Sequence, residues 1–138
     1  MKYFLRTRLL SLLAWILGLF LLVPSGAAVG ERVYLVEVDG PITPVIADYV
    51  DRSLKQATDL GAEAVVIRLN TPGGLSSSMD DIVQDILQSP VPVVVYVAPE
   101  GARAASAGVF ITYAAHIAAM APATNIGSAS PVLIGQDG

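Results

Sequence analysis

Three short apolar runs, each closed by a turn signal and spaced by segments of helical character, constrain this chain more than any other feature. Val33-Tyr34-Leu35-Val36-Glu37-Val38 runs into Asp39-Gly40-Pro41. Ala64-Val65-Val66-Ile67-Arg68-Leu69 runs into Asn70-Thr71-Pro72-Gly73-Gly74, and Pro92-Val93-Val94-Val95-Tyr96-Val97 is the third. After the first run, Thr43-Pro44 reads as an N-cap with proline at the first helical position. Val45, Tyr49, Leu54 and Ala57 supply an apolar stripe for that helix, and Gly61 lies past its end. After the second run, Ser76-Ser77-Ser78 opens a helix with Asp80 and Asp81 in its first turn. Ile82, Val83, Ile86 and Leu87 are its expected buried face, and Ser89-Pro90 stops it. Strand, helix, strand at this spacing predicts βαβ units with parallel strands. The third run is so evenly apolar that it reads as a strand covered on both faces. The fold class is therefore α/β, built from repeated β/α units. The chain stops in a loop-like tail, Ile134-Gly135-Gln136-Asp137-Gly138, so the fold is expected to be incomplete at the C-terminus.

The N-terminus has a different character. Lys2, Arg6 and Arg8 precede Leu9–Val23, an uncharged stretch of 15 residues ended by Pro24 and followed by Ser25-Gly26-Ala27-Ala28. Positive charge, a short apolar core and small residues at −3 and −1 describe a secretory signal peptide cleaved after Ala27 or Ala28. The other reading is an uncleaved anchor, although 15 helical residues reach only about 22 Å against a hydrocarbon core of about 30 Å. In either case the residues after about 28 face outward from the cytoplasm. The expected organisation is an export segment or membrane anchor over 1–28 and one α/β domain over 29–138.

Charge and cysteine usage exclude several classes. The chain of 138 residues carries 8 basic and 12 acidic side chains. Without the first eight residues, five basic residues remain against the 12 acidic. A surface of that sign repels phosphate backbones, and no basic stripe with interleaved aromatics is present, so no nucleic-acid partner is expected. There are no cysteines, which removes disulfides, thiolate metal sites and a cysteine nucleophile. The acidic residues show no metal-ligand spacing, and no cofactor or metal is expected.

Two glycine-containing loops follow successive strands, at the strand ends where α/β folds place their sites. In the first, the Gly73-Gly74 pair lets backbone approach a ligand closely and offers N–H groups for half an oxyanion hole. By itself Pro-Gly-Gly also reads as an ordinary turn. In the second, Gly101-Ala102-Arg103-Ala104-Ala105-Ser106-Ala107-Gly108, only small residues adjoin Ser106. If Ser106 begins a helix, the Ala107 N–H and the positive helix end sit beside its hydroxyl. A nucleophile and an oxyanion donor on adjacent residues suit acyl transfer. The plain alternative is that Ser106 is a helix N-cap. Arg68 and Arg103 flank the loops and read as solvated or ion-paired. His116 is ten residues past Ser106, about 15 Å away along a helix, and reads as a structural residue opening the next strand.

Taken together, Arg68-Leu69-Asn70-Thr71-Pro72-Gly73-Gly74, Ala104-Ala105-Ser106-Ala107-Gly108 and the segment His116–Ser128 resemble the Clp protease and signal-peptide-peptidase-A superfamily. The nearest match within it is the NfeD group of membrane-bound serine peptidases, over residues 32 to 131. That resemblance implies a crotonase-like fold and a Ser/Lys dyad, with Ser106 as nucleophile. It implies an oxyanion hole from Gly73 and Gly74, Gly74 the better-placed donor, together with the Ala107 N–H. Asn125 would shape the substrate groove. The lysine departs from the pattern: only Lys2 and Lys55 are present, so the family lysine would fall after Gly138 and the chain alone should be inactive or nearly so.

The resemblance further implies a serine endopeptidase outside the cytoplasm at the membrane surface, cutting hydrophobic segments of membrane-associated proteins. Stomatin-like proteins are the implied partners, and self-association is the rule in the superfamily. A binding or scaffold module of the same fold that has lost catalysis is the alternative. A crotonase-type acyl-CoA enzyme is disfavoured by export, since coenzyme A is cytoplasmic, and by the placement of the serine.

Overall fold

The computed structural model describes residues 32–130; the expected export segment and the C-terminal tail lie outside them. The expected strands and helices form in order. β1 (Val33–Asp39) is followed by α1 (Pro44–Asp59), β2 (Ala64–Asn70), α2 (Ser76–Gln88) and β3 (Val93–Val97). After them come β4 (Arg103–Ala105), α3 (Ala107–Ala114), β5 (Ile117–Met120) and β6 (Asn125–Gly127). Four strands make a parallel sheet in the order β1-β2-β3-β5. β4 and β6 form a separate parallel pair.

Register explains the core. Val36 pairs with Ile67 and Ile67 with Val95, while Val38 pairs with Leu69 and Leu69 with Val97. Side chains alternate across a strand, so these rows share one face; all six are almost completely buried. Ile82 and Ile86 of α2, Val50 and Leu54 of α1 and Ile111 of α3 join the same cluster. Replacing Ile67, 1% exposed between two neighbouring strands, by alanine should lower unfolding stability by about 2–5 kcal/mol. Chemical denaturation measures this directly.

Three expectations need correction. β3 is not covered on both faces by the described residues: Val94 is half-buried and Tyr96 exposed, alongside exposed Val33 and Leu35. Its apolar run gave no sign of this, because valine suits either face. The α1 stripe holds only in its second half: Leu54 and Ala57 are buried, but Val45 and Tyr49 are exposed, and Ala47, Val50 and Ser53 complete the buried side. Close approach to the sheet favours small residues, which weighting by size overlooks. In α2, Ile82 and Ile86 are buried but Leu87 is 61% exposed, and Asp80 and Asp81 lie beyond the first turn. Thr43 does cap α1, accepting the Ile46 N–H at 3.4 Å. Arg68 is ion-paired, to Glu37 at 2.7 Å.

Between α1 and α2 lies a cleft of about 350 Å³ lined by Asp48, Asp51, Asp81 and Asp85. Burial raises the pKa of Asp85 first, and the Asp51 and Asp81 charges add to it against the opposing pull of Lys55. A carboxyl with a raised folded pKa favours the folded state at low pH and loses that contribution as pH rises through the carboxylate range. Asp85→Asn should therefore raise the melting temperature at pH 7 and lose that advantage in acid. Melting curves at the two pH values check it.

Candidate active site

Three hydrogen bonds fix the two glycine loops against each other, and two more brace the first loop. The Thr71 N–H donates to the Arg103 carbonyl at 2.7 Å, and the Ala105 N–H donates to the Thr71 carbonyl at 3.1 Å. The Asn70 side chain donates to Asp39 Oδ1 at 2.9 Å and accepts the Arg103 N–H at 3.1 Å. Within the first loop, the Gly73 N–H donates to Thr71 Oγ1 at 3.1 Å. Asn70 thus links three strand ends. In the sequence it stands out only as part of a motif, since a strand-terminal asparagine reads first as a turn residue.

β4 was also missed. Residues 101–108 read as loop because Arg-Ala-Ala has little strand propensity. Tertiary pairing overrides this: Ala104 pairs with Ile126 and bridges Thr71, and Ala105 pairs with Gly127. Asn125, paired with Arg103, donates its N–H to the Ala102 carbonyl at 3.2 Å. It lies at the end of β6 that faces the start of β4.

Ser106 then carries the chain from β4 into α3 with φ 52° and ψ −112°. A non-glycine residue there costs on the order of 1–3 kcal/mol and persists only where its surroundings enforce it. Here they do: the Ser106 N–H is held by the Gly127 carbonyl at 3.0 Å, and its own carbonyl accepts the Val109 N–H at 2.9 Å. Ser106 occupies the N-cap position, yet its hydroxyl makes no capping hydrogen bond. The simple N-cap reading therefore fails.

Gly73 sits directly against this serine. A Cβ on Gly73 would lie 2.7 Å from Ser106 Cβ and 3.2 Å from its Oγ, and Gly73 has φ +113°. Gly74 is pressed the other way, onto backbone: a Cβ there would meet the Ile42 carbonyl oxygen at 2.1 Å. The Ile42 N–H donates to the Gly73 carbonyl and the Leu75 N–H to the Ile42 carbonyl, at 2.8 and 3.0 Å. In that parallel pattern the N–H of the intervening Gly74 turns away from Ile42. Among the described residues, neither the Gly74 N–H nor the Ala107 N–H has a hydrogen-bond acceptor. Ala107 is buried at the first position of α3, where helix N–H groups are unpaired. Gly73 and Ser106 are thus in contact, with Ala107 following the serine and Gly74 following the glycine in the chain.

His116 does not join them. Its Nδ1 accepts the Val93 N–H at 3.2 Å and its N–H donates to the Val93 carbonyl at 3.0 Å, fastening the start of β5 to β3. Lys55 lies on α1, bonded to Asp51 at 2.7 Å.

Residues 32–138 match the family model of the NfeD1b N-terminal domain. The chain belongs to the NfeD1b N-terminal domain family. A membrane-bound protease, PH1510, of Pyrococcus horikoshii is 45% identical over 122 residues, covering 88% of this chain and 27% of its own length. The membrane protein NfeD1b of Bacillus subtilis is 36% identical over 124 residues, covering 86% of this chain and 28% of its own length. The chain thus spans little more than a quarter of these relatives. A solved structure described as the 1510-N membrane-bound stomatin-specific protease, a lysine-to-alanine mutant in complex with a substrate peptide, superposes with TM-score 0.75 at 45% identity. It covers 78% of this chain and 49% of its own; a serine-to-alanine mutant of the same protease has also been solved. A ClpP1 mutant from Listeria monocytogenes aligns at TM-score 0.62 and 26% identity, over 67% of this chain and 55% of its own. The NfeD1b domain described here therefore has a ClpP-like α/β fold, and its homologues include a membrane-bound protease. No helix among its described residues is long and apolar enough to cross a membrane.

Proposed function

We propose that this chain is the nucleophile-bearing part of a membrane-associated serine endopeptidase that works outside the cytoplasm. Ser106 Oγ attacks the scissile carbonyl. The resulting oxyanion takes hydrogen bonds from the Gly74 and Ala107 N–H groups, with Gly73 giving the carbonyl room beside the serine. The serine proton passes to a neutral lysine contributed from beyond Gly138, which then protonates the leaving amine. Water hydrolyses the Ser106 ester by the same route in reverse roles. Asn125 borders the groove for the peptide. Substrates are hydrophobic segments of membrane-associated proteins, stomatin-like proteins among them, and the enzyme works as a homo-oligomer. Residues 1–28 deliver or anchor the domain that begins at 29.

One observation carries this reading: Ser106 is held at a strained φ of 52° with its hydroxyl uncommitted to capping and with Gly73 against it. Backbone strain of that kind clusters at active sites, where it is part of the mechanism. The solved relatives support the dyad, since a serine and a lysine are the residues replaced in them. A non-catalytic module is the second reading, favoured by the position of Lys55, bound to Asp51 on α1. A fluorophosphonate probe applied to a chain extended through its first downstream lysines separates the two. Labelling that is lost on replacing one of those lysines by alanine supports the peptidase; an unlabelled chain supports the module.

A further inference from the structure

Thr71 is the one polar side chain of the first loop that is completely buried, at 0% exposure, and it touches both halves of the site. Its Oγ1 accepts the Gly73 N–H at 3.1 Å and donates to the Gly73 carbonyl at 3.2 Å. Its methyl group lies in the space where a Gly108 Cβ would be, 2.6 Å from that position, against the first turn of α3 that carries the Ala107 N–H. The consequence is specific. Of two adjacent glycine N–H groups, one is consumed by a side chain and the other has no acceptor among the described residues.

We infer that Thr71 is a positioning residue that selects the Gly74 N–H as oxyanion donor, by occupying the Gly73 N–H and by setting the loop's distance from the Ala107 turn. This rests on the proposed peptidase reading. A hydroxyl is required because only an oxygen that both accepts and donates closes the turn at Gly73 in both directions. Its methyl group adds the spacing to Gly108. Asn70 cannot substitute, since both ends of its amide are engaged by Asp39 and Arg103. Without the hydroxyl, the Gly73 N–H competes for the oxyanion from the wrong place, which weakens the transition state more than the bound ground state.

The test is steady-state peptide cleavage by a chain extended through the downstream lysine. Thr71→Val, which keeps the shape and removes the hydroxyl, should lower kcat by roughly ten- to a hundredfold with KM changed less than about threefold. Thr71→Ser should restore kcat to within about threefold of the parent. Should the valine variant fail to fold, Thr71→Ala and Thr71→Ser share the missing methyl and differ only in the hydroxyl, so their kcat ratio reads the same quantity. Equal kcat for the serine and valine or alanine variants, or a loss confined to KM, overturns the inference. A Ser106→Ala control that remains active would instead overturn the peptidase reading beneath it.

Discussion

Replacing Ser106 by alanine is expected to reduce peptide turnover by at least three orders of magnitude in a chain extended through its lysine. Removing the nucleophile of a serine peptidase leaves only binding and the oxyanion donors to act on water, and losses of about 10⁶-fold in kcat are known for that change. Substrate affinity should hold, because the loops are fixed by backbone bonds that do not involve the hydroxyl. The Thr71–Arg103 and Ala105–Thr71 bonds, and the Ser106 N–H to Gly127, all survive the substitution. Alanine at φ 52° retains the same backbone strain, so the melting temperature should change by only a few degrees. Cleavage and peptide binding measured on the same preparation check both parts. Turnover within tenfold of the parent would remove Ser106 from the chemistry.

The second large effect is expected at Gly73. Alanine there must place a methyl 2.7 Å from Ser106 Cβ and 3.3 Å from the Ala105 carbonyl oxygen, at a φ of +113° that side chains rarely adopt. Both neighbours are short and tied to backbone, so neither can swing aside. Either the loop withdraws and carries Gly74 with it, or Ser106 leaves its strained conformation; both disassemble the site. Gly73→Ala should lower the second-order rate of fluorophosphonate labelling by about a hundredfold or more, the scale of losing an oxyanion donor. Gly101→Ala is the matched control, since a Cβ there meets nothing within 4 Å even though its φ is +79°. Comparable labelling of both alanine variants would show that the glycine pair is only a turn.

The β/α order and the two loops were legible because they rest on local signals. Apolar runs of strand length end in turn signals such as Asn-Thr-Pro-Gly-Gly, and Thr43-Pro44 starts a helix as capping chemistry requires. What stayed hidden depends on partners distant in sequence. β4 is a strand only because Thr71 and the β6 residues pair with it. Leu87 and Val45 are as apolar as Ile86 and Val50, and only the sheet's position decides which of them is covered. At the site, Ser106 could be read either as a cap or as a nucleophile, because both place a small hydroxyl residue before a helix. The positive φ and the missing cap hydrogen bond count against the cap reading, and neither has a sequence signature beyond the small residues alongside. Likewise the glycine pair does not declare which N–H is engaged within the loop; the Thr71 side chain makes that distinction by binding the Gly73 N–H.

The central claim is that Ser106 is the acyl-accepting nucleophile, and locating the covalent adduct tests it most directly. The extended chain is treated with a fluorophosphonate, digested, and mapped by tandem mass spectrometry. One adduct, on the hydroxyl of Ser106, is the predicted result, with Ser76, Ser77, Ser78 and Ser128 unmodified. An adduct on any of those serines with Ser106 untouched, or no adduct in a folded chain that carries its lysine, would contradict the account.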